Sequence, residues 1–183
     1  MTCVAALVDD GHIYIGADSA GVDSNLDLRV RADSKLWVEE PFIFGFCGSF
    51  RMGQLLRHHF NPPRRQLDKE VDEFMCVDFI DTVRLCLSDG GYMRVKDEVE
   101  EGGNFIVGYE GRLFEIFDDF QVAEYFEPYA AIGCGFPYAL AVLEVTKGPP
   151  RRRITRALAV AEKYSAGVRS PFSIVKLEAG GAP

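Results

Sequence analysis

Two apolar segments at the amino terminus, joined by a tight turn, restrict the fold more than any other part of this sequence. Residues 2–8 (TCVAALV) follow Met1 directly, and residues 12–17 (HIYIGA) have the composition of a returning strand. Residues 9–11 (DDG) include a glycine that can take the positive φ that hairpin turns require. The pattern predicts an antiparallel strand pair that begins at residue 2, so the amino terminus is expected to be held in a sheet.

The remaining segments group into blocks of strands and blocks of helices. Residues 18–34 are polar with little periodicity and are expected to form a long loop or an irregular strand. Beyond them we predict hairpins at 35–47 and 105–117, helices at 50–60, 71–87, 137–145 and 154–164, and strands at 129–133 and 171–177. Separate runs of strands and helices are typical of sheets with helices on their outer faces, which predicts an α+β fold. No internal repeat or linker is visible, so residues 1–183 are predicted to form one domain.

The composition is that of a folded chain and disfavours polyanionic partners. The 183 residues are 48% hydrophobic and 26% charged, which excludes a disordered, collagen-like or coiled-coil chain. Twenty Lys and Arg against 28 Asp and Glu leave a net charge of −8. Because binding to phosphates depends on clustered Lys and Arg, nucleic acid is not expected as a partner.

The five cysteines are scattered, and no pair has CxxC spacing. This pattern predicts buried free thiols in a reducing compartment, with neither a zinc site nor a disulfide framework. No apolar run approaches the roughly 18 residues of a membrane span, and the amino terminus lacks the basic and apolar segments of a signal peptide. We therefore expect a cytoplasmic protein without a membrane partner, a metal or another cofactor.

Thr2 is a candidate nucleophile if Met1 is removed. A neutral threonine hydroxyl is weakly nucleophilic, but an amino-terminal threonine carries its own base, because its free α-amine has a pKa of about 7.7–8.0. Many chains begin Met-Thr, so Thr2 alone is weak evidence for a catalytic role.

The residues expected near Thr2 are stronger evidence. Asp18 ends the strand that pairs with the first, Lys35 begins the next hairpin, and Gly48 ends that hairpin. A lysine ammonium would lower the pKa of the amine and the hydroxyl, an aspartate would hold the lysine, and a glycine N–H would bind an oxyanion.

With these residues in place, the sequence resembles the proteasome β-type subunits and the related bacterial ATP-dependent proteases. The resemblance extends from Thr2 to about Leu177, and bacterial or phage-encoded homologues of compact size are the expected relatives. Its motifs are the Thr2-first strand, Gly16-Ala17-Asp18-Ser19, Lys35, Phe46-Cys47-Gly48-Ser49, Ala131-Ile132-Gly133-Cys134-Gly135, and Glu162 with Ser165.

The resemblance implies a fold, a reaction and a set of site residues. The fold would be the four-layer αββα sandwich of N-terminal nucleophile hydrolases. Thr2 would be the nucleophile, Asp18 the acid, Lys35 the lysine that lowers pKa values, and Gly48 the oxyanion donor. The protein would be a threonine endopeptidase acting on polypeptide or peptide substrates in a homo-oligomeric ring, with an ATP-dependent unfoldase as a candidate partner.

Three further site residues match the resemblance less closely. Cys134 lies where the family usually has a serine that hydrogen-bonds the terminal amine, and a thiol is a weaker partner. Glu162 and Ser165 lie where the family usually has an aspartate and a serine near the nucleophile. Phe46 and Phe50 flank Gly48, where the resemblance places the substrate pocket, and would make that pocket narrow or aromatic.

Structural alternatives remain open for each of these residues. Asp18 would be only a turn residue, Lys35 an exposed lysine at a strand end, and Gly48 a glycine before a helix. Cys134 would pack in the core, and Glu162 would face solvent. Two other functions also remain open: a non-proteolytic amidohydrolase acting on a small amide, and a catalytically silent scaffold ring like the family's α-type subunits. The 14 phenylalanines favour association with like subunits, which would bury some of them.

Overall fold

The computed structural model describes residues 1–180, and two antiparallel sheets pack face to face at its centre. The first sheet has the order β12-β1-β2-β13, with β1 Val4–Asp9, β2 His12–Ala17, β12 Tyr129–Ile132 and β13 Ser173–Leu177. The second has the order β11-β10-β9-β6-β5, with β5 Leu36–Glu39, β6 Phe42–Phe46, β9 Phe105–Tyr109, β10 Arg112–Ile116 and β11 Val122–Glu124. Two small hairpins pair β3 Ala20–Val22 with β4 Leu28–Val30 and β7 Arg94–Lys96 with β8 Val99–Glu101.

Helices cover the outer face of each sheet. They are α1 Phe50–His58, α2 Val71–Phe74, a π-helical segment Met75–Phe79, α3 Ile80–Asp89, α4 Phe136–Val145 and α5 Pro150–Tyr164. Helices α4 and α5 pack on the first sheet, and the helices between residues 50 and 89 pack on the second. The layers therefore follow the order helix, sheet, sheet, helix, which confirms the α+β αββα expectation.

Strand β1 is central to this arrangement because both of its faces are buried. Cys3, Ala5 and Leu7 pack towards α4 and α5, while Val4 and Ala6 pack between the two sheets. An apolar run without polar alternation is what such a doubly covered strand requires. The segment at the amino terminus is therefore fixed in the middle of the molecule, as its composition predicts.

The layer between the second sheet and its helices is strongly aromatic. Nine of the 14 phenylalanines are buried there: Phe42, Phe44, Phe46, Phe60, Phe74, Phe79, Phe105, Phe114 and Phe120. Phe126 and Phe136 are exposed. Most of the phenylalanine content is therefore used inside the chain, and only a small part of it is left for contacts with other subunits.

Several predicted boundaries differ from the structure for identifiable reasons. The polar segment 18–34 contains β3 and β4, and the short strands β7, β8 and β11 have no apolar alternation that would predict them. Helix α5 begins at Pro150, four residues before the predicted start, because a proline at the first helical position loses no hydrogen bond. The helix predicted at 71–87 is interrupted by the π-helical segment.

The cysteines are free thiols, but only some of them are buried. Cys3 and Cys47 are buried and Cys86 is half-buried, whereas Cys76 and Cys134 are exposed. The expectation that all five are buried is therefore wrong, since Cys76 lies on the outer face of its helix and Cys134 lies in the loop before α4. Within residues 1–180, no helix is long and apolar enough to cross a membrane.

A glycine in α1 allows the closest contact between this helix and the second sheet. A Cβ at Gly53 would lie 2.3 to 2.6 Å from three ring atoms of Phe46. We predict that Gly53→Ala destabilises the protein by about 1–3 kcal/mol because the ring has to move within an aromatic cluster. At an unhindered helix position the same change stabilises by about 1 kcal/mol. Urea unfolding checks the sign, and Gly53→Ala should cost clearly less in a Phe46→Leu background than in the unmodified protein. A stabilised Gly53→Ala variant would contradict this tight contact.

Candidate active site

Asp18 and Cys3 are brought side by side by the register of the first two strands. Val4 pairs with Ala17, so the residues just outside that pair are neighbours. The Cys3 N–H donates to Asp18 Oδ1 at 2.9 Å, and the Asp18 N–H donates to the Cys3 carbonyl at 3.2 Å. Thr2 precedes this pairing and is only 2% exposed.

The Asp18 carboxylate receives four hydrogen bonds from different parts of the chain. Oδ1 accepts from Lys35 Nζ at 2.7 Å as well as from the Cys3 N–H. Oδ2 accepts from the Ala20 N–H at 2.8 Å and from the Arg169 N–H at 3.1 Å. Both oxygens of this buried carboxylate are therefore satisfied, as a buried charge requires.

Lys35 lies directly before β5, and its side chain is 1% exposed. Burial lowers the pKa of its ammonium, and the ion pair with Asp18 opposes that shift. The Nζ atom is also 5.8 Å from the centre of the Phe50 ring. A buried lysine with a lowered pKa exchanges protons closer to neutral pH than an exposed one does.

The loop before α4 holds the main chain of Thr2. The Thr2 carbonyl accepts from the Gly135 N–H at 3.3 Å and from the Cys134 thiol at 3.4 Å. The Ser165 hydroxyl in turn donates to Cys134 Sγ at 3.2 Å. Gly133 has a φ of +86°, and a Cβ there would lie 2.3 Å from the Thr2 carbonyl oxygen, so only glycine fits this close approach.

Met1 covers the Thr2 side chain. The Thr2 hydroxyl donates to the Met1 carbonyl at 2.6 Å, and Met1 itself remains 42% exposed. A Cβ at Gly167 would lie 2.2 Å from Met1 Cβ and 2.9 Å from Cys134 Sγ. Residues 1 and 2, Cys134 and the loop at Gly167 therefore meet in one place.

Gly48 borders open space beside this cluster. It has a φ of +79°, and a Cβ there would have no heavy atom within 4 Å. Its neighbour Cys47 is near the Thr2 carbonyl, because a Cβ at Gly133 would lie 3.3 Å from Cys47 Cβ. Ser49 then caps α1 by accepting from the Met52 N–H at 3.3 Å. Gly48 thus directly follows a residue that lies near the Thr2 carbonyl, and it is itself exposed.

Glu162 and the two pocket phenylalanines have less direct positions. The Glu162 carboxylate accepts from the Ser170 N–H at 2.8 Å and so acts on the segment whose Arg169 amide binds Asp18. Phe46 lies in the aromatic core and contacts Phe50 edge-on, at 5.5 Å between ring centres. Phe50 is half-buried, and the Arg31 guanidinium stacks on it at 3.7 Å.

Some contacts at the site have no counterpart among the predicted residues. The amides of Ala20 and Arg169 bind Asp18, and Gly167 gives room to Met1 and Cys134. Gly133 belongs to a motif that the sequence analysis singled out, and its separation of two residues from Gly135 is a signal for close main-chain approach. A main-chain amide, by contrast, leaves no signal in residue type.

The buried thiols near Thr2 are poor nucleophiles. Burial raises the pKa of both Cys3 and Cys47 to about 12. At neutral pH both therefore remain thiols, and the thiolate is the reactive form. This leaves the hydroxyl of Thr2 as the better candidate at this position.

The Asp18–Lys35 pair generates a stability prediction. We expect Asp18→Asn and Lys35→Met each to lower the free energy of unfolding by about 3–5 kcal/mol, because each leaves a buried charge without its partner. The double variant should lose clearly less than the sum of the two. Urea unfolding of the three variants checks this. Additive losses would mean that the two side chains do not depend on each other.

Comparison with known proteins identifies the fold. No protein-family model and no curated protein sequence matches this chain. Among solved structures, "Thiobacillus denitrificans BPH in complex with Epoxomicin" is similar with a TM-score of 0.79 at 19% identity, over 98% of this chain and 100% of that one. HslV from Trypanosoma brucei gives a TM-score of 0.68 at 15% identity, over 97% and 99% of the two chains. Anbu (ancestral beta-subunit) from Yersinia bercovieri gives 0.66 at 16% identity, over 96% and 81%.

Structural similarity at 15–19% sequence identity establishes the fold of the chain. The reaction has to be inferred from the residues of the site. The match extends over nearly the whole chain in all three cases. This chain has the αββα fold of proteasome-type N-terminal nucleophile hydrolase subunits.

Proposed function

We propose that this protein is a threonine peptidase whose nucleophile is Thr2 after removal of Met1. The observation that carries the proposal is the buried Asp18–Lys35 pair, whose carboxylate also binds the amide of Cys3, the residue that follows Thr2. A buried ion pair contributes little to stability relative to an apolar pair. The position of the Asp18–Lys35 pair beside Thr2 is therefore better explained by a role in the reaction than by a contribution to stability.

The first half of the reaction forms an ester. The α-amine of Thr2 takes the proton of the Thr2 hydroxyl, and Oγ1 forms a bond to the carbonyl carbon of a peptide. The Lys35 ammonium favours the alkoxide form of Oγ1 through its positive charge. The Gly48 N–H donates to the oxyanion, a contact worth about 10²–10³ in rate in comparable sites. The C–N bond then breaks, and the leaving amine takes the proton from the α-ammonium.

The second half of the reaction restores the enzyme. Water loses a proton to the α-amine and adds to the ester carbonyl, and the Thr2–acyl bond breaks with return of that proton to Oγ1. The products are a carboxylate and a free Thr2. Only groups of this chain and water take part, so the proposal needs no metal or other cofactor.

Met1 keeps the site inactive while it is attached. The Thr2 nitrogen is then an amide, which has no basic lone pair, and the hydroxyl is engaged by the Met1 carbonyl. Removal of Met1 creates the base and releases the hydroxyl in one step. The mature α-amine would lie next to Cys134 and Ser165, which form a chain of contacts to the Thr2 main chain.

Glu162 and the aromatic residues would act through positioning. Glu162 orders the segment that donates to Asp18, and Phe50 shields one side of Lys35. We further propose that the substrate is polypeptide or short peptide and that the chain works as a homo-oligomeric ring, with an ATP-dependent unfoldase as a partner, on the analogy of the fold.

The proposal is tested first by covalent labelling of the intact protein. An epoxyketone peptide forms two bonds to an amino-terminal threonine, one to its hydroxyl and one to its free amine. We expect the mass of the purified protein to show loss of Met1 and gain of one inhibitor molecule, with no adduct for Thr2→Ala. The matched variant Thr2→Ser should still react. A protein that keeps Met1 and gains no adduct would overturn the proposal in favour of a silent scaffold.

A panel of fluorogenic peptides then separates peptidase from amidase activity. Cleavage that is abolished by Thr2→Ala supports the peptidase. An adduct without cleavage of any peptide would instead support an amidohydrolase acting on a small amide.

The polar contact of Cys134 is tested by a pair of substitutions. We predict that Cys134→Ala lowers kcat by about fivefold, equivalent to about 1 kcal/mol for one lost hydrogen bond, while Cys134→Ser retains most of the activity. Cys76→Ala is the control, because that thiol is also exposed but lies on the opposite helical layer. Full activity of Cys134→Ala would show that the thiol only fills space.

A further inference from the structure

A groove outside the catalytic cluster ends at the residues that hold Thr2. It has a volume of about 730 Å³ and lies between helix α4 and the second sheet. Residues 130–133 form its floor, and Cys47 lies at the same end as Gly133. Both of these residues approach the Thr2 main chain, as described above. This end of the groove therefore lies beside the main chain of Thr2.

The floor of the groove is the edge of a sheet. Strand β12 pairs with β1 on one side, and within residues 1–180 no strand pairs with its other side. An unpaired edge presents main-chain N–H and C=O groups that an extended peptide can pair with. Its four residues span about 13 Å at roughly 3.3 Å per residue, enough for a short peptide strand.

The walls of the groove are apolar and remain accessible. Phe136, Leu140 and Glu144 are spaced four apart on α4 and line one wall, and Phe136 and Leu140 are 46% and 37% exposed. Phe117 and Tyr125 line the opposite wall. Large apolar side chains left accessible beside an open strand edge are typical of a binding surface.

The charge of the groove is of one sign. Glu115, Glu127 and Glu144 line it, and no Lys or Arg of the described residues does. Glu115 accepts from Asn104 at 2.9 Å and from the Tyr125 hydroxyl at 3.0 Å, and Glu144 accepts from the Tyr129 hydroxyl. Arg153, which does not line the groove, lies 5.9 Å from the centre of the Tyr129 ring and donates to the Leu143 carbonyl. The hydrogen bonds to Glu115 and Glu144 come from neutral groups and leave their negative charge in place, so the groove favours a cationic ligand.

We propose that this groove binds an extended peptide segment that carries Lys or Arg, paired with the free edge of β12. The inference rests on the proposed function only for what happens to the bound segment: the groove would hold a basic part of the substrate beside the bond that Thr2 attacks. The chemistry of recognition is main-chain pairing, apolar contact with α4, and charge attraction to Glu127 and Glu144.

The test measures binding in the inactive Thr2→Ala protein, so that it does not depend on cleavage. Three fluorescent peptides alternate Val with Lys, Gln or Glu, and a fourth is the Lys peptide with alternate amides N-methylated. We expect the Lys peptide to bind at least tenfold more tightly than the Glu peptide, and N-methylation to weaken it. The variant Glu127→Gln/Glu144→Gln should weaken the Lys peptide by about three- to tenfold and leave the Gln peptide unchanged. Asp97→Asn/Glu98→Gln, in the exposed β7–β8 turn, removes the same number of charges and is the matched control.

Each outcome decides the inference separately from the hydrolase proposal. Equal binding of the three peptides, or equal effects of the groove and control variants, would overturn it. A change of oligomeric state in the double variant, measured by sedimentation and without loss of peptide binding, would also overturn it, because the groove would then be a contact between copies of the chain. Selective binding without an epoxyketone adduct would retain the groove and remove the peptidase.

Discussion

The ion pair between Asp18 and Lys35 connects four parts of the chain beneath the amino-terminal strand. The carboxylate contacts Cys3 directly before β1, Ala20 at the start of β3, Lys35 directly before β5 and Arg169 in the segment after α5. Removing one partner of such a buried pair costs about 3–5 kcal/mol, a large share of a typical stability of 5–15 kcal/mol. Replacing both by well-packed apolar residues is often neutral or stabilising. Stability alone therefore does not explain why a charged pair is buried here, and local departures from the usual folding rules are typical of functional sites.

Burial, rather than any single contact, determines the chemistry of this region. The same low dielectric lowers the pKa of Lys35 and raises the pKa of Cys3 and Cys47 to about 12. Burial thus favours the neutral form of the lysine more than in water and makes the two thiols less reactive. Burial therefore makes the two buried thiols beside Thr2 poor nucleophiles, while the Thr2 hydroxyl is not affected in this way.

Much of the fold could be predicted from the sequence because its main strands have clear apolar patterns. The hairpins at residues 4–17, 36–46 and 105–116 have apolar strands separated by short turns, and their register follows from turn length. Short strands such as β7, β8 and β11 have three residues each, too few for periodicity to appear. The start of α5 was misplaced because consecutive prolines suggest a break, although the first helical position accepts proline.

Only part of the candidate site could be predicted from the sequence. The sequence predicts Thr2, Asp18, Lys35, Cys134 and Ser165 as site residues, and hydrogen bonds in the structure connect them through Cys3 and the Thr2 carbonyl. The Arg169 amide is 151 residues from Asp18, and main-chain donors have no signature in residue type.

The hydrogen bond from the Thr2 hydroxyl to the Met1 carbonyl has a practical consequence for how the protein is prepared. Any affinity tag or fusion partner placed before Thr2 keeps the Thr2 nitrogen an amide, so the reaction proposed above could not be tested on such a preparation. Affinity tags and fusion partners should therefore be placed at the carboxyl terminus.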